Sequence, residues 1–149
     1  KAVGAQIILD KVAHKAFMGS GAEGLINGIS GSDSRFGDKE WLGFWGEDVE
    51  ITIDLGEEKE INSIETRFNN SKGQWIYAPT KLNIGFDNSS YQDYDMETND
   101  NSIIDFKSTF KGIKAKQIRL KITNYGTIPE GKQGAGNKAW TFIDEIIIH

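Results

Sequence analysis

Strict alternation of apolar and polar side chains is the feature that most constrains the fold of this chain. In VEITIDL, at positions 49–55, every odd-numbered residue is aliphatic and every even-numbered residue is polar. The segments KLNIGF at 81–86 and QIRLKI at 117–122 repeat this period of two. Such a period places one side chain on a core and the next in water, as in a β-strand with one buried face. No window keeps an apolar face at helical spacing over three turns, which excludes a helical bundle.

Other segments extend the set of predicted strands. They cover 6–9, 61–68, 103–110 and 141–148, and turns rich in Gly, Asn, Ser and Asp separate them. The last segment is apolar on both faces, which predicts a strand in the middle of a sheet. Seven or eight short strands of this kind are typical of an antiparallel β-sandwich or jelly roll. We therefore predict an all-β fold with a single domain over 1–149.

Composition disfavours several classes of partner. The chain has 22 Asp and Glu against 17 Lys and Arg, with no basic stripe, so we expect no binding to nucleic acid. It has no Cys, which excludes a disulfide framework and a thiolate metal cluster. No apolar segment approaches the roughly 20 residues that span a bilayer. The chain begins at Lys1 without Met, so we expect a piece of a longer protein.

Two long connections between predicted strands are the places where we expect a site. Residues 30–46 carry Trp41, Phe44 and Trp45, and residues 125–139 carry four Gly and one Pro. Connections longer than about 12–15 residues are uncommon in a compact domain and are often functional.

The order of the motifs resembles the discoidin superfamily, the coagulation factor 5/8 type C kind of domain. NGISGS at 27–32 precedes an aromatic cluster, WLGFWG, at 41–46. VEITIDLG at 49–56 leads to INSI at 61–64, and WTFIDEI at 140–146 ends the pattern. The resemblance covers nearly the whole chain, in particular to carbohydrate-binding module family 32 and to accessory domains of bacterial β-hexosaminidases. It implies a discoidin-like, galactose-binding-domain-like jelly roll that binds carbohydrate without catalysis.

The resemblance also implies a structural Ca²⁺ ion beneath the loops. The family holds this ion with a side-chain oxygen of a turn before Gly, backbone carbonyls, a Ser or Thr hydroxyl and a late Glu. The matching residues are Asn27, Ser32 and Glu145. Asn27 is an amide where the family often has a carboxylate, and Ca²⁺ affinity rises with the charge of the site. Asn27 and Gly28 also fit a tight turn that binds no metal.

Flat aromatic rings and planar polar side chains are what a sugar-binding surface needs, because the ring stacks on a pyranose and the polar groups bind its hydroxyls. Trp75 follows NNSKGQ at 69–74, which is rich in amides, and is the first candidate for a stacking platform. It equally fits a cap on one end of the core. Trp41, from its place in the family, and Trp140, which shares a strand face with Phe142, are predicted to be buried.

Galactose-binding relatives use an Arg and an Asn from the region that matches Arg67 and Asn70. Arg67 lies between Thr66 and Phe68 at a strand end, so it points away from the core and fits a surface ion pair as well. No His stands in the loop before Trp41, so galactose specificity does not transfer. The candidate carbohydrate-binding residues are Trp75, Arg67, Asn69, Asn70, Trp45 and Tyr125.

Catalytic motifs are missing from the sequence. His14 and His149 are the only histidines, and no HExxH, CxxC or GxSxG motif occurs. Glu47, Asp48 and Glu50 are the best-placed carboxylates for a glycosidase, but a solvated surface explains them as well. We therefore predict a non-catalytic domain.

The predicted function is weak binding of terminal sugars by an accessory domain that tethers a parent glycosidase to glycans. We expect a secreted, periplasmic or cell-surface protein, monomeric as an isolated domain, with the catalytic domain in cis. One alternative is a domain that packs on its parent enzyme and binds no ligand. Another is the membrane-binding mode of clotting factors, which needs a basic ring and apolar spikes that the sequence does not offer.

Overall fold

The computed structural model describes residues 5–11, 21–26, 28–29, 41–96 and 101–149. Within these residues the elements are seven β-strands and two short 3-10 helices, which confirms the predicted all-β class. No described helix is long and apolar enough to cross a membrane. The strands are β1 Gln6–Leu9, β2 Leu42–Trp45, β3 Val49–Asn69, β4 Lys81–Phe86, β5 Gln92–Asp95, β6 Ile103–Thr123 and β7 Trp140–Ile148, and the 3-10 helices are Ala22–Ile26 and Lys72–Gln74.

Two long strands, β3 and β6, pair with each other along their whole length and connect two sheets. The first half of β3 pairs also with β1, and the second half pairs also with β7. The second half of β6 pairs with β4, which carries β5, while β2 lies outside β7. The order is β2-β7-β3-β6-β4-β5, with β1 beside β3, and all pairings are antiparallel. We call the sheet with β1, β4 and β5 the first sheet and the sheet with β2 and β7 the second sheet.

The β3–β6 ribbon folds over itself, so that its two halves face each other across one core. Side chains of both halves, such as Ile51 and Phe68, belong to the same buried cluster. Gly56 and Gly112 have φ values of +85° and +67° where the ribbon turns, in the left-handed region that favours glycine. The fold is therefore the predicted antiparallel β-sandwich, and each fully buried Ile contributes about 1.5–3 kcal/mol to its stability.

The sequence predicted four separate strands where the structure has two continuous ones. Segments 49–55 and 61–68 both belong to β3, and segments 103–110 and 117–122 both belong to β6. Register shifts between Asp54 and Lys59, and again between Ile61 and Ser63, move the buried positions of β3 from odd to even numbers. Between Asp54 and Lys59, β3 advances five residues while β6 advances two; between Ile61 and Ser63, β3 advances two residues while β6 advances four. Such irregularities break the alternation without ending the strand.

Strand β7 lies between β2 and β3 and is buried on both faces, as its apolar sequence predicted. Ile143 and Ile146 belong to the main core. Phe142, on the opposite face, packs with Trp41 and Ile76 in a second cluster. The predicted burial of Trp41 is confirmed, whereas Trp140 is only half-buried because it lies at the edge of this second cluster.

Candidate functional site

Three connections between strands lie at one end of the sandwich, which we call the loop end. It comprises residues 46–48, 70–80 and 124–139. The backbone N–H of Asn124 donates to a carboxylate oxygen of Asp48 at 2.9 Å, and its side-chain amide donates to the carbonyl of Ala139 at 3.0 Å. The N–H of Gly46 donates to the same carbonyl at 3.0 Å. These bonds hold residues 46–48 against residues 124–139.

Trp75 is the aromatic side chain that this end exposes. It is 39% exposed, and every other aromatic residue in the described part of the chain is buried or half-buried. Its backbone has a φ of +63° and ends the second 3-10 helix. Left-handed backbone costs an L-residue about 1–2 kcal/mol, and a bulky residue there is an outlier. Its N–H donates to the carbonyl of Lys72 at 3.0 Å, and its carbonyl accepts the N–H of Trp140 at 2.8 Å, so the strained conformation is held in place.

The Trp75 ring packs against the backbone of Gly134. A Cβ atom on Gly134 would lie 2.7 Å from both Cγ and Nε1 of Trp75, and the φ of Gly134 is +82°. Only glycine therefore fits between this turn and the indole. Gly134 covers one side of the ring, and 39% of the residue stays exposed. We call this exposed part of the Trp75 side chain the platform.

Tyr77 fixes the turn that carries Gly134. It is buried, and its hydroxyl donates to the carbonyl of Gln133 at 2.7 Å. Its ring stacks on Tyr125 with a centroid distance of 4.7 Å and an interplanar angle of 22°. Burial, and next the neighbouring Tyr125, raises the pKa of the Tyr77 hydroxyl, which keeps it a neutral donor. The predicted aromatic residue Tyr125 is thus half-buried and supports the loop from below.

Asn69 and Asn70, predicted to contact sugar, lie at the base of the loop. Asn69 is 1% exposed. Its side-chain oxygen accepts a hydrogen bond from the N–H of Ser71 at 2.9 Å and another from the Ser71 hydroxyl at 2.5 Å. Asn70 is 7% exposed; its side-chain oxygen accepts the N–H of Ala78 at 3.0 Å, and its amide donates to the carbonyl of Asn101 at 3.0 Å. Both amides bind backbone groups where the chain leaves β3, and their contact with a ligand stays a prediction.

Arg67 points away from the main core, as expected, but it forms an ion pair with Asp144. Its Nε and Nη2 donate to Oδ2 of Asp144 at 3.0 and 2.6 Å, and Asp144 is fully buried. The guanidinium also lies 5.6 Å from the ring centroid of Trp41. Arg67 therefore compensates a buried charge on the outer side of the second sheet.

Trp45 and Trp140 form a separate aromatic pair. They are opposite each other in the β2–β7 ladder, with ring centroids 4.9 Å apart and planes tilted by 52°. Trp140 also contacts Phe142, so this pair extends the second cluster on the outer face of the second sheet. Trp45 is half-buried there.

Glu145 is the one predicted metal ligand that lies within the described residues. It is 4% exposed, and its Oε2 accepts the N–H of Gly28 at 3.0 Å. Asn27, Ser32 and also His14 lie outside the described residues. A buried carboxylate beside the turn at Gly28 fits the all-oxygen ligand set of Ca²⁺. In the described part of the chain no three His, Cys, Asp or Glu residues cluster as metal ligands.

The carboxylates considered for catalysis do not converge on Trp75. Asp48 accepts the N–H of Asn124. Glu50, after the larger effect of burial, raises the pKa of the Tyr91 hydroxyl on the outer face of the first sheet. Two surface depressions of about 270 and 510 Å³, beside Asp54 and Asp93, also lie away from Trp75. Among the described residues, the loop end presents the exposed aromatic surface of Trp75. The residues that support Trp75, namely Tyr77, Gln133 and Gly134, were not predicted from the sequence, in which the four glycines of 125–139 are their only signal.

Several solved structures share this architecture. Chitosan-binding module 1 from a chitosanase/glucanase of Paenibacillus sp. IK-5 superposes with a TM-score of 0.61 at 17% identity, over 99% of this chain and 96% of that one. The family 32 carbohydrate-binding module of C. perfringens NanJ, solved with galactose, gives a TM-score of 0.61 at 14% identity, over 97% and 92%. A GH29 fucosidase of Ruminococcus gnavus, solved with fucose, gives 0.59 at 15% identity, over 100% of this chain and 26% of the enzyme.

The chain thus spans about a quarter of the length of the fucosidase. At these identities the likeness shows the fold alone, a discoidin-like β-sandwich. No curated protein matches the chain. The sequence itself matches the F5/8 type C domain family over residues 15–146. Because that match spans most of the length and the folded ribbon superposes on discoidin-like modules, the chain belongs to the F5/8 type C domain family.

Proposed function

We propose that this domain is a non-catalytic carbohydrate-binding module whose ligand stacks on Trp75. The observation that carries the proposal is an exposed Trp held in a left-handed backbone conformation and backed by Gly134. Strained, bulky residues persist where the surrounding structure fixes them, and such positions cluster at ligand sites. Similar solved structures include a CBM32 of AlyQ with 4,5-unsaturated mannuronic acid and the lectin domain of lectinolysin with Lewis B antigen. Their sugar complexes support the proposal.

The platform sets the expected affinity. A Trp side chain presents roughly 250 Å², so 39% exposure leaves about 100 Å² for a sugar ring. At about 25 cal/mol per Å², covering this area contributes about 2.5 kcal/mol. With a few hydrogen bonds at an open surface, we expect a dissociation constant on the order of 0.1–1 mM.

Weak binding suits an accessory domain. A module joined to a glycoside hydrolase holds the enzyme near its glycan by effective concentration, which multiplies a weak affinity without any new contact. The fucosidase that contains a similar domain within a longer chain supports this arrangement. We propose a secreted or cell-surface parent glycosidase in cis, with the isolated domain monomeric.

A structural Ca²⁺ ion is part of the proposal. Glu145, with Asn27 and Ser32, would supply oxygen ligands, and the ion would fix the loops near Gly28. The burial of Glu145 and its bond to the N–H of Gly28 support this assignment.

A glycan array tests the function, with the unmodified domain compared with Trp75→Ala and with Trp45→Ala. Trp75→Ala should abolish detectable binding because a loss of about 2.5 kcal/mol is about 70-fold. Trp45→Ala, on the outer face of the second sheet, should leave binding within about threefold. Selective binding that persists in Trp75→Ala would refute the assignment of the site.

Docking on a parent domain is the second candidate function. Ile147 and Ile29, 40% and 53% exposed, leave apolar surface on the domain away from the loop end. A blank array from a folded domain would favour this role. The domain should then bind its separately purified catalytic partner, and Ile147→Lys should weaken that binding.

A further inference from the structure

The side chain of Gln133 lies where the two segments that hold Trp75 meet. Its Oε1 atom is 3.1 Å from the position that a Cβ atom on Gly73 would take. Gly73 belongs to the 3-10 helix that ends at Trp75, and Gln133 directly precedes Gly134, whose backbone packs against the indole ring. The Gln133 amide therefore lies at the junction of these two segments, beside the platform.

This amide is open to water and is not used by the fold. Gln133 and Gly73 are both exposed. Among the residues that the structure describes, Gln133 accepts the Tyr77 hydroxyl with its backbone carbonyl, and its side chain forms no hydrogen bond. A primary amide offers an oxygen acceptor and two N–H donors in one plane. Gln133 thus brings an unused planar polar group to the edge of an exposed aromatic ring.

The backbone that carries this amide is held in place on both sides. The Tyr77 hydroxyl donates to the carbonyl of Gln133 at 2.7 Å, and the side-chain amide of Asn137 donates to the carbonyl of Gly134 at 3.1 Å. Both acceptors are backbone atoms, so these bonds do not depend on the side chain at position 133. A ligand would meet an amide whose base is already fixed, which lowers the entropic cost of binding.

We propose that the side-chain amide of Gln133 determines the specificity of the platform by binding two adjacent hydroxyl groups of a neutral sugar that stacks on Trp75. This rests on the proposed function. Stacking on an indole reads the apolar face of a sugar, whereas a hydrogen bond distinguishes one sugar from another by the position of a hydroxyl. Each hydroxyl can donate and accept, so the amide oxygen binds one hydroxyl and the amide nitrogen binds its neighbour.

NMR titration tests the proposal. The probes are the methyl glycosides of galactose, fucose and N-acetylglucosamine, which are neutral and carry adjacent free hydroxyls, and the monodeoxy analogues of each probe that binds. The variants are Trp75→Ala, Gln133→Met, which keeps the length of the side chain without its amide, and the control Gln92→Met on the exposed edge strand β5. Two signals are followed: the indole N–H of Trp75 and the side-chain NH₂ of Gln133, which is assigned by its loss in Gln133→Met.

At least one probe should shift both signals. Gln133→Met should weaken its binding at least fivefold, since one ordinary hydrogen bond corresponds to about fivefold, and should leave Tm unchanged. Gln92→Met should change neither quantity. The deoxy analogue that lacks a bonded hydroxyl should bind the unmodified domain about fivefold more weakly than its parent sugar. It should bind Gln133→Met no more weakly than the parent does, because only groups in contact show such non-additive effects.

Failure of this inference and failure of the proposed function give different results. A probe that Trp75→Ala no longer binds, but that binds Gln133→Met as tightly as the unmodified domain, refutes the role of Gln133 and leaves carbohydrate binding in place. Failure of all three probes has the same meaning when the array shows selective binding that Trp75→Ala abolishes. Binding that Trp75→Ala does not weaken, or a blank array with no binding to any probe, refutes the proposed function and the role of Gln133 with it.

Discussion

Gly134 and Gly136 offer a matched pair of substitutions that separates backbone strain from contact with Trp75. Their φ values are +82° and +86°, so alanine at either position pays the same left-handed penalty, about 1–2 kcal/mol. A Cβ at Gly136 meets nothing within 4 Å. A Cβ at Gly134 would lie 2.7 Å from two indole atoms, whereas carbon atoms pack at about 3.5–4 Å. The ring must therefore move by roughly 1 Å.

We expect Gly136→Ala to lower the free energy of unfolding by about 1–2 kcal/mol and Gly134→Ala by about 2–4 kcal/mol, the difference being the overpacking against Trp75. For a domain of this size each kcal/mol lowers Tm by about 2–4 °C. Urea unfolding measures the stability, and acrylamide quenching of Trp fluorescence reports the displaced ring. Gly134→Ala should also weaken binding of the strongest glycan from the array more than tenfold, while Gly136→Ala should leave it unchanged.

Equal effects of the two substitutions on stability, quenching and binding would refute the reasoning. The contact between Gly134 and the indole would then have no part in orienting the platform, and strain alone would explain both variants.

Three further predictions concern the supports of the site. Tyr77→Phe removes the bond to Gln133 and should lower the free energy of unfolding by about 1 kcal/mol at neutral pH. Because the pKa of the Tyr77 hydroxyl is raised in the folded state, the stability of the unmodified domain should fall as pH rises above about 10. Urea unfolding should show a less steep fall in the variant. Arg67→Ala leaves the buried Asp144 carboxylate without its guanidinium and should lower stability by about 3–5 kcal/mol, whereas Arg67→Ala combined with Asp144→Asn should recover part of that loss. Added Ca²⁺ should raise the Tm of the unmodified domain and EDTA should reverse the rise, while Glu145→Gln should show neither effect; a Tm indifferent to Ca²⁺ would contradict the metal assignment.

Alternation identified the strands that bury one face only. The predicted segments 6–9 and 81–86 match β1 and β4 to the residue, because each has one side toward the core. Two strands escaped prediction for opposite reasons. β2, LGFW, is almost wholly buried and has no polar side to alternate, and β5, QDYD, is a polar edge strand with little to bury.

The site was less predictable because its geometry is non-local. The sequence singled out Trp75 but left open whether it was exposed. The answer depends on a left-handed backbone at Trp75 and on Gly134, which is distant in the sequence. Composition singled out the amides of Asn69 and Asn70 as ligand contacts, but it did not predict the bonds that they form to backbone groups where the chain leaves β3.

The ribbon of β3 and β6 also governs how the domain opens. Every other strand except β2 and β5 hydrogen-bonds directly to one of these two, and those two attach through β7 and β4. Neither sheet can separate from the other without breaking a strand that both share, so the two layers should unfold as one cooperative unit. Amide hydrogen exchange should be slowest in the central residues of β3 and β6 and similar on the two sides of the fold, while the loop that carries Gly134 exchanges through local opening at much lower free energy. A ligand bound at the loop end would then slow exchange in the ribbon as well as in the loop, because global unfolding of the ribbon also destroys the binding site.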